Sequence, residues 1–142
     1  MSYNTSTASK PWLRTMQIIW NDKEPIYIQL RDRLSELILD GAVLEGDALP
    51  SVRQISSEQR INPITVSRAF QIMVDEQLVE KKRGIGMFVI VGAKIKLQNS
   101  EREKFLNQEW PAIIKRISRL GLDSKQLINQ IDAVINKTRG GK

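Results

Sequence analysis

The pair Asn62-Pro63, standing at the head of an apolar stripe, constrains the fold of this chain more than any other feature. Asparagine is a strong N-cap, because its side-chain oxygen accepts from a backbone N–H that has no partner inside the helix. Proline then falls at the first helical position, where its missing N–H costs nothing. Val66, Ala69, Phe70, Met73 and Val74 follow at helical spacing, so a helix with one buried face is predicted over about 62–77. Its other face carries Ile64, Thr65, Ser67, Arg68 and Gln71. Short polar groups and an arginine near a helix N-terminus suit the major groove, where such side chains read base edges. An ordinary amphipathic surface helix has the same pattern, so the neighbouring segments decide.

Upstream, Ser51-Val-Arg-Gln54 has the spacing of a capping box, with Gln54 reaching back to the Ser51 N–H. It opens a short helix with Val52 and Ile55 inward and Arg53 outside. Ser56 to Arg60 then turn tightly into the Asn62 helix, and two helices so joined make a helix-turn-helix. Before them, Pro25 opens a helix to about Asp40. Tyr27, Leu30, Leu34, Leu37 and Ile38 face inward by spacing, and Gly41 is the expected C-cap. The linker Glu45–Pro50 is turn-rich.

Downstream, Leu78 to Val91 reads as two strands joined by a basic turn in which Gly84 and Gly86 supply positive φ. Lys81, Lys82 and Arg83 crowd the tip. Adjacent cations repel in a plain hairpin but are attracted by a phosphate backbone. Protection of an exposed edge strand is the bland alternative. A hairpin directly after the second helix completes a winged helix-turn-helix over 16–91. Met16 to Trp20 is read as a short strand, and residues 1–15, with Trp12, as a flexible tail.

Residues 92–142 are read as a short helical dimerisation region. Lys94 to Glu103 is charged, either the end of the hairpin or a connector. Leu106, Trp110, Ile113, Ile117 and Leu120 then alternate steps of four and three, the seam of a helix that packs on another helix. Pro111 either kinks that helix or starts a new one. After Gly121, Asp123 or Ser124 caps a last helix with Leu127, Ile128, Ile131, Val134 and Ile135 on one face. This helix covers part of the seam, and a second copy of the chain is expected to bury the rest. The fold class expected is mainly α with a small β-hairpin.

Composition narrows the function. The chain has no cysteine and no histidine, which removes thiolate chemistry, the commonest general base and the commonest metal ligand. Its carboxylates are scattered and form no nucleophile–base pattern. A non-enzymatic, cytoplasmic protein without catalytic residues, metal or cofactor is expected, and no apolar run is long enough for a membrane. The formal charge is +6, which favours a polyanionic partner. From Ser51 to Val91 six cations oppose four acids, whereas from Gly92 onward eleven oppose five. The second excess is read as a solvated face rather than as phosphate contacts.

The runs Pro25-Ile-Tyr-Ile-Gln-Leu, Gly46-Asp-Ala-Leu-Pro-Ser-Val-Arg53, Asn62-Pro-Ile-Thr-Val-Ser-Arg-Ala-Phe and Gly84-Ile-Gly-Met-Phe-Val resemble the N-terminal domain of the GntR family of bacterial transcription regulators. The short helical C-terminal part, with Trp110-Pro111 and Leu120-Gly-Leu, is similar to the YtrA subfamily. The resemblance implies a homodimer bound to double-stranded DNA, commonly repressing an operon for an ABC transporter. It implies DNA contacts by Arg53, by Asn62, Pro63, Thr65 and Ser67 with Arg68 adjacent, and by Gly84 at the wing tip. Gln71, Lys81, Lys82 and Arg83 join them from the residue reading. This chain departs from the family in two places: Arg60 stands where glycine is frequent, and Pro63 and Ser67 where arginines are frequent. The roughly fifty residues after Val91 are too few for a sizeable effector domain, so no small-molecule effector is expected. A winged helix that serves as a protein-interaction adaptor is the alternative.

Overall fold

The computed structural model describes residues 18–139. The expected tail lies outside these residues, as do the first two of the expected strand at Met16–Trp20. The remaining three are not a strand. Ile18 and Trp20 instead pack on the core, in a loop closed by side chains. The Asn21 Oδ1 accepts from the Lys23 and Glu24 N–H groups, and the Gln29 amide bonds both ways with the Asn21 backbone.

The order is α1 (Ile26–Leu39), α2 (Val52–Gln59), α3 (Pro63–Asp75), β1 (Val79–Lys82), β2 (Gly86–Val89), α4 (Ala93–Lys104), a π-helical turn (Phe105–Glu109), α5 (Trp110–Leu120) and α6 (Ser124–Arg139). Two compact units divide the chain between Ser100 and Glu101.

In the first unit, α3 packs on α1 and α2. Leu30, Leu34 and Ile38 of α1, Ile55 of α2, and Val66, Phe70 and Met73 of α3 are buried together. Each such side chain stabilises the fold by about 1.5–3 kcal/mol relative to leaving it exposed. The first half of α1 is fastened to the C-terminal end of α3 by charge: Arg31 Nε and Nη2 each donate to a Glu76 carboxylate oxygen at 2.7 Å. Burial works against the Arg31 charge, but Glu76 and Asp32 more than offset it, and the pKa is raised.

The strands are antiparallel, Val79 opposite Val89 and Lys82 opposite Gly86. The segment read as a plain linker runs along the free edge of β2, joined to it by an isolated bridge. The Gly46 N–H donates to Val89 O, Val89 N–H to Asp47 O, and Leu49 N–H to Met87 O, at 2.8–2.9 Å. Ala48 pairs with Phe88, and burial of Ala48 and Leu49 makes the pairing worthwhile.

Lys94 to Glu103, expected as hairpin end or connector, is helical, most of α4. Ala93 and Leu97 enter the core on one face, and the charged residues take the other. Glu45 caps the start of this helix. Its carboxylate accepts from the Lys94 N–H at 3.1 Å. The Gly92 and Lys94 N–H groups hold it below the usual carboxylate range.

In the second unit the backbone passes Pro111 through a π turn, with the Trp110 N–H donating to Phe105 O. A π turn spends an extra residue, so the missing proline N–H is absorbed at the start of α5. Phe105 and Trp110 stack with centroids 6.2 Å apart. Gly121, at φ 65°, ends α5. The Asp123 Oδ1 accepts from the Lys125 N–H and caps α6.

Candidate nucleic-acid interface

The helix-turn-helix is built by caps. The Ser51 Oγ accepts from Gln54 N–H at 3.0 Å while the Gln54 Oε1 accepts from Ser51 N–H at 2.8 Å. This fixes the direction of α2 and leaves Arg53 exposed in its first turn. The turn to α3 closes on Ser56. Its carbonyl accepts from the Arg60 and Ile61 N–H groups, and its hydroxyl donates to Ile61 O at 2.6 Å. Arg60 is left-handed there, φ 54° and ψ 49°, a conformation that glycine adopts without strain. The Asn62 Oδ1 then accepts from Ile64 N–H at 2.9 Å, with Pro63 opening α3.

The wing returns beside α3. A concave cleft of about 490 Å³ is lined by Ser51 and Val52 of α2, Ser67 and Gln71 of α3, and Lys81, Lys82, Gly84 and Ile85 of the wing. The start of α2, the outer flank of α3 and the wing tip therefore share one surface. Asn62, Pro63 and Ser67 are exposed and Thr65 is half-buried, and of these Ser67 lines the cleft. Gly84, at φ 77°, turns the wing tip, and the Ile85 N–H closes it on Lys82 O at 2.9 Å.

Charge on this surface is uneven. Arg53, Arg68, Lys81 and Arg83 are exposed, and none forms an ion pair among the described residues. Two helix N-termini add partial positive charge, which suits phosphate. Lys82 differs from its neighbours. Its Nζ lies 3.8 Å from Glu80 and 4.8 Å from the Phe88 ring centroid, so it leans back onto the wing. Gln71 is engaged too, donating to Asp75 Oδ1 at 2.9 Å.

Sequence reading missed Tyr27. The Arg68 guanidinium carbon lies 4.1 Å from the centroid of the Tyr27 ring, a cation–π contact across α1 and α3. Helical spacing marked Tyr27 only as inward-facing, and a contact between residues forty-one positions apart leaves no local trace.

In the second unit, Trp110, Ile113, Ile117, Leu127 and Ile131 line one apolar groove of about 680 Å³ between α5 and α6, with Ile114, Ile128 and Ile135. Leu106 and Leu120 do not line it and are more than half exposed. The extra residue of the π turn rotates Leu106 off the α5 register. Among the described residues of this unit none is fully buried.

A helix-turn-helix followed directly by a basic wing defines a DNA-binding winged-helix protein, mainly α with a small hairpin. No helix among the described residues is long and apolar enough to cross a membrane, and none of their His, Cys, Asp or Glu side chains group to hold a metal. Residues 26–89 match the model of the bacterial regulatory proteins of the gntR family. The HTH-type transcriptional repressor YtrA of Bacillus subtilis is 30% identical over 127 residues, 89% of this chain and 97% of its own. A GntR-family regulator from Listeria monocytogenes superposes with TM-score 0.65 at 25% identity, covering 80% of this chain and 98% of its own. YtrA from Sulfolobus acidocaldarius, a GntR-family transcription factor, is 30% identical with TM-score 0.51, covering 64% of this chain and 96% of its own. The chain belongs to the GntR family: it is a transcriptional regulator with a DNA-binding helix-turn-helix, not an enzyme.

Proposed function

We propose that this regulator is a cytoplasmic homodimeric repressor that binds a pseudo-palindromic operator in double-stranded DNA. The observation that carries the reading is the cleft shared by the start of α2, the flank of α3 and the wing, on elements that also carry four exposed cations free of ion pairs, Arg53, Arg68, Lys81 and Arg83. The first two turns of α3, with Asn62, Pro63, Thr65, Ser67 and Arg68, enter the major groove. Arg53, Lys81 and Arg83 lie along phosphates, and the tip glycine Gly84 approaches the minor groove. Lys82 and Gln71 contribute less, because each already has an intramolecular partner. Repression is supported by the name of the Bacillus subtilis relative, a transcriptional repressor. An operon encoding an ABC transporter is the target class proposed.

The dimer half of the reading is supported by the second unit. Ile114, Ile128, Ile131 and Ile135 stay 44–55% exposed along the groove, and apolar patches of this kind mark association surfaces. The proposed occupant is the same region of a second copy, by a closed twofold contact, and the reading includes no small-molecule effector. Selection of bound sites from a random duplex pool tests it. The expected product is a short inverted repeat with half-sites about one helical turn apart. Recovery of unrelated sequences, bound with equal affinity, would contradict sequence-specific regulation.

A further inference from the structure

The first turn of a recognition helix meets base edges before the rest of the helix does. In α3 the two residues that precede Ile64 offer limited hydrogen-bonding capacity, while Thr65 and Ser67 beyond it keep their hydroxyls. The Asn62 Oδ1 is occupied by the Ile64 N–H at 2.9 Å, and Pro63 has no donor. One turn further along, the Gln71 amide is held by Asp75 and the Arg68 guanidinium by the Tyr27 ring.

An arginine four residues along a helix commonly lays its stem over the earlier side chain. Here Tyr27 draws Arg68 toward α1, and Ile64 remains 70% exposed. A single exposed isoleucine is ordinary on a protein surface. On the proposed reading this one stands where a base edge arrives, between the capping Asn62 and an arginine drawn toward Tyr27. Its β-branched side chain is stiff in a helix, so little freedom is lost when it is covered. In the major groove the apolar feature that distinguishes one base pair from another is the C5-methyl group of thymine.

We infer that Ile64 reads a thymine by packing against its C5-methyl group. The inference rests on the proposed DNA-reading role of α3. It makes the first turn of this helix a shape reader, with selectivity for the methyl-bearing base at one position of each half-site.

Uracil isolates the group, because it keeps the O4 acceptor of thymine and lacks only the methyl. A duplex recovered from the random pool is resynthesised with each thymine of one half-site replaced in turn by uracil. Affinity is measured for the wild-type chain and for Ile64→Ser. One replacement is expected to weaken wild-type binding about fourfold, the factor that burying one methyl-sized group is worth. The same replacement leaves Ile64→Ser binding unchanged. Matching unfolding midpoints for the two proteins confirm that the exposed substitution spares the fold. If the wild type prefers the recovered duplex to a scrambled one and no uracil weakens it, or Ile64→Ser loses equally, the methyl contact is overturned while DNA reading stands. If the recovered and scrambled duplexes bind alike, DNA reading falls and the inference falls with it.

Discussion

Arg60 is the clearest case of a residue at odds with its place. It holds a left-handed backbone between α2 and α3, which costs a side-chain-bearing residue roughly 1–2 kcal/mol. Arg60→Gly is therefore expected to stabilise the chain by about 0.5–1 kcal/mol, after the entropy that glycine adds to the unfolded state. Urea unfolding midpoints check this, and a loss of stability would mean that the Arg60 side chain has a structural role of its own. At the DNA surface, Thr65→Ala and Arg68→Ala should cost specific binding about 1–3 kcal/mol each and relax one operator position. Affinities for recovered and scrambled duplex are compared for each variant, and equal losses on both would make these residues phosphate contacts. The local chemistry of this region was legible in the sequence: Ser51 with Gln54 and Asn62 with Ile64 form within three residues of one another. The Tyr27–Arg68 contact was not, because packing of α1 on α3 creates it.

Among the elements, the wing gives the sharpest expectation. Changing Lys81, Lys82 and Arg83 together to alanine should lower the slope of log affinity against log salt by about two rather than three, since each phosphate contact is worth roughly 0.9 and Lys82 leans on Glu80 and Phe88. An unchanged slope would remove the wing from the interface. The start of α4 should respond to acid. Glu45 has its pKa lowered by backbone N–H groups, so it stabilises the native state above the usual carboxylate range and loses that contribution as pH falls through its depressed value. Glu45→Gln should flatten the stability profile on that acidic side alone, measured by unfolding midpoints from neutral to acid pH; the same profile in both proteins would discount the cap. Elements announced by periodicity, α1, α3 and the hairpin, were readable in advance. Two others were not. α4 has Ala93 and Leu97 as its buried anchors in a charged run, too weak a stripe to signal a helix. The segment at 46–49 is held by backbone bonds to residues about forty positions away, which no local pattern encodes.

For the whole molecule, the proposed dimer rests on the exposed apolar surface of α5 and α6. Ile117→Glu places a carboxylate in the middle of the groove, half-buried already in one copy, and burying it unpaired against a second copy is strongly unfavourable. This variant should shift the solution mass from dimer to monomer at micromolar concentration, read by light scattering. A variant that remains dimeric would move the dimer contact elsewhere. The Leu106 and Leu120 positions, off the groove, are expected to tolerate polar substitution better than Ile113 or Ile117 in the same experiment.

Affinity of the wild-type chain for the full recovered site and for a half-site of the same length, with solution mass followed in parallel, tests the central claim directly. A dimeric regulator binds the full site more tightly by roughly a hundredfold or more, because the second half-site is engaged intramolecularly, and Ile117→Glu abolishes that difference. A monomer that binds half-site and full site equally well would contradict the account.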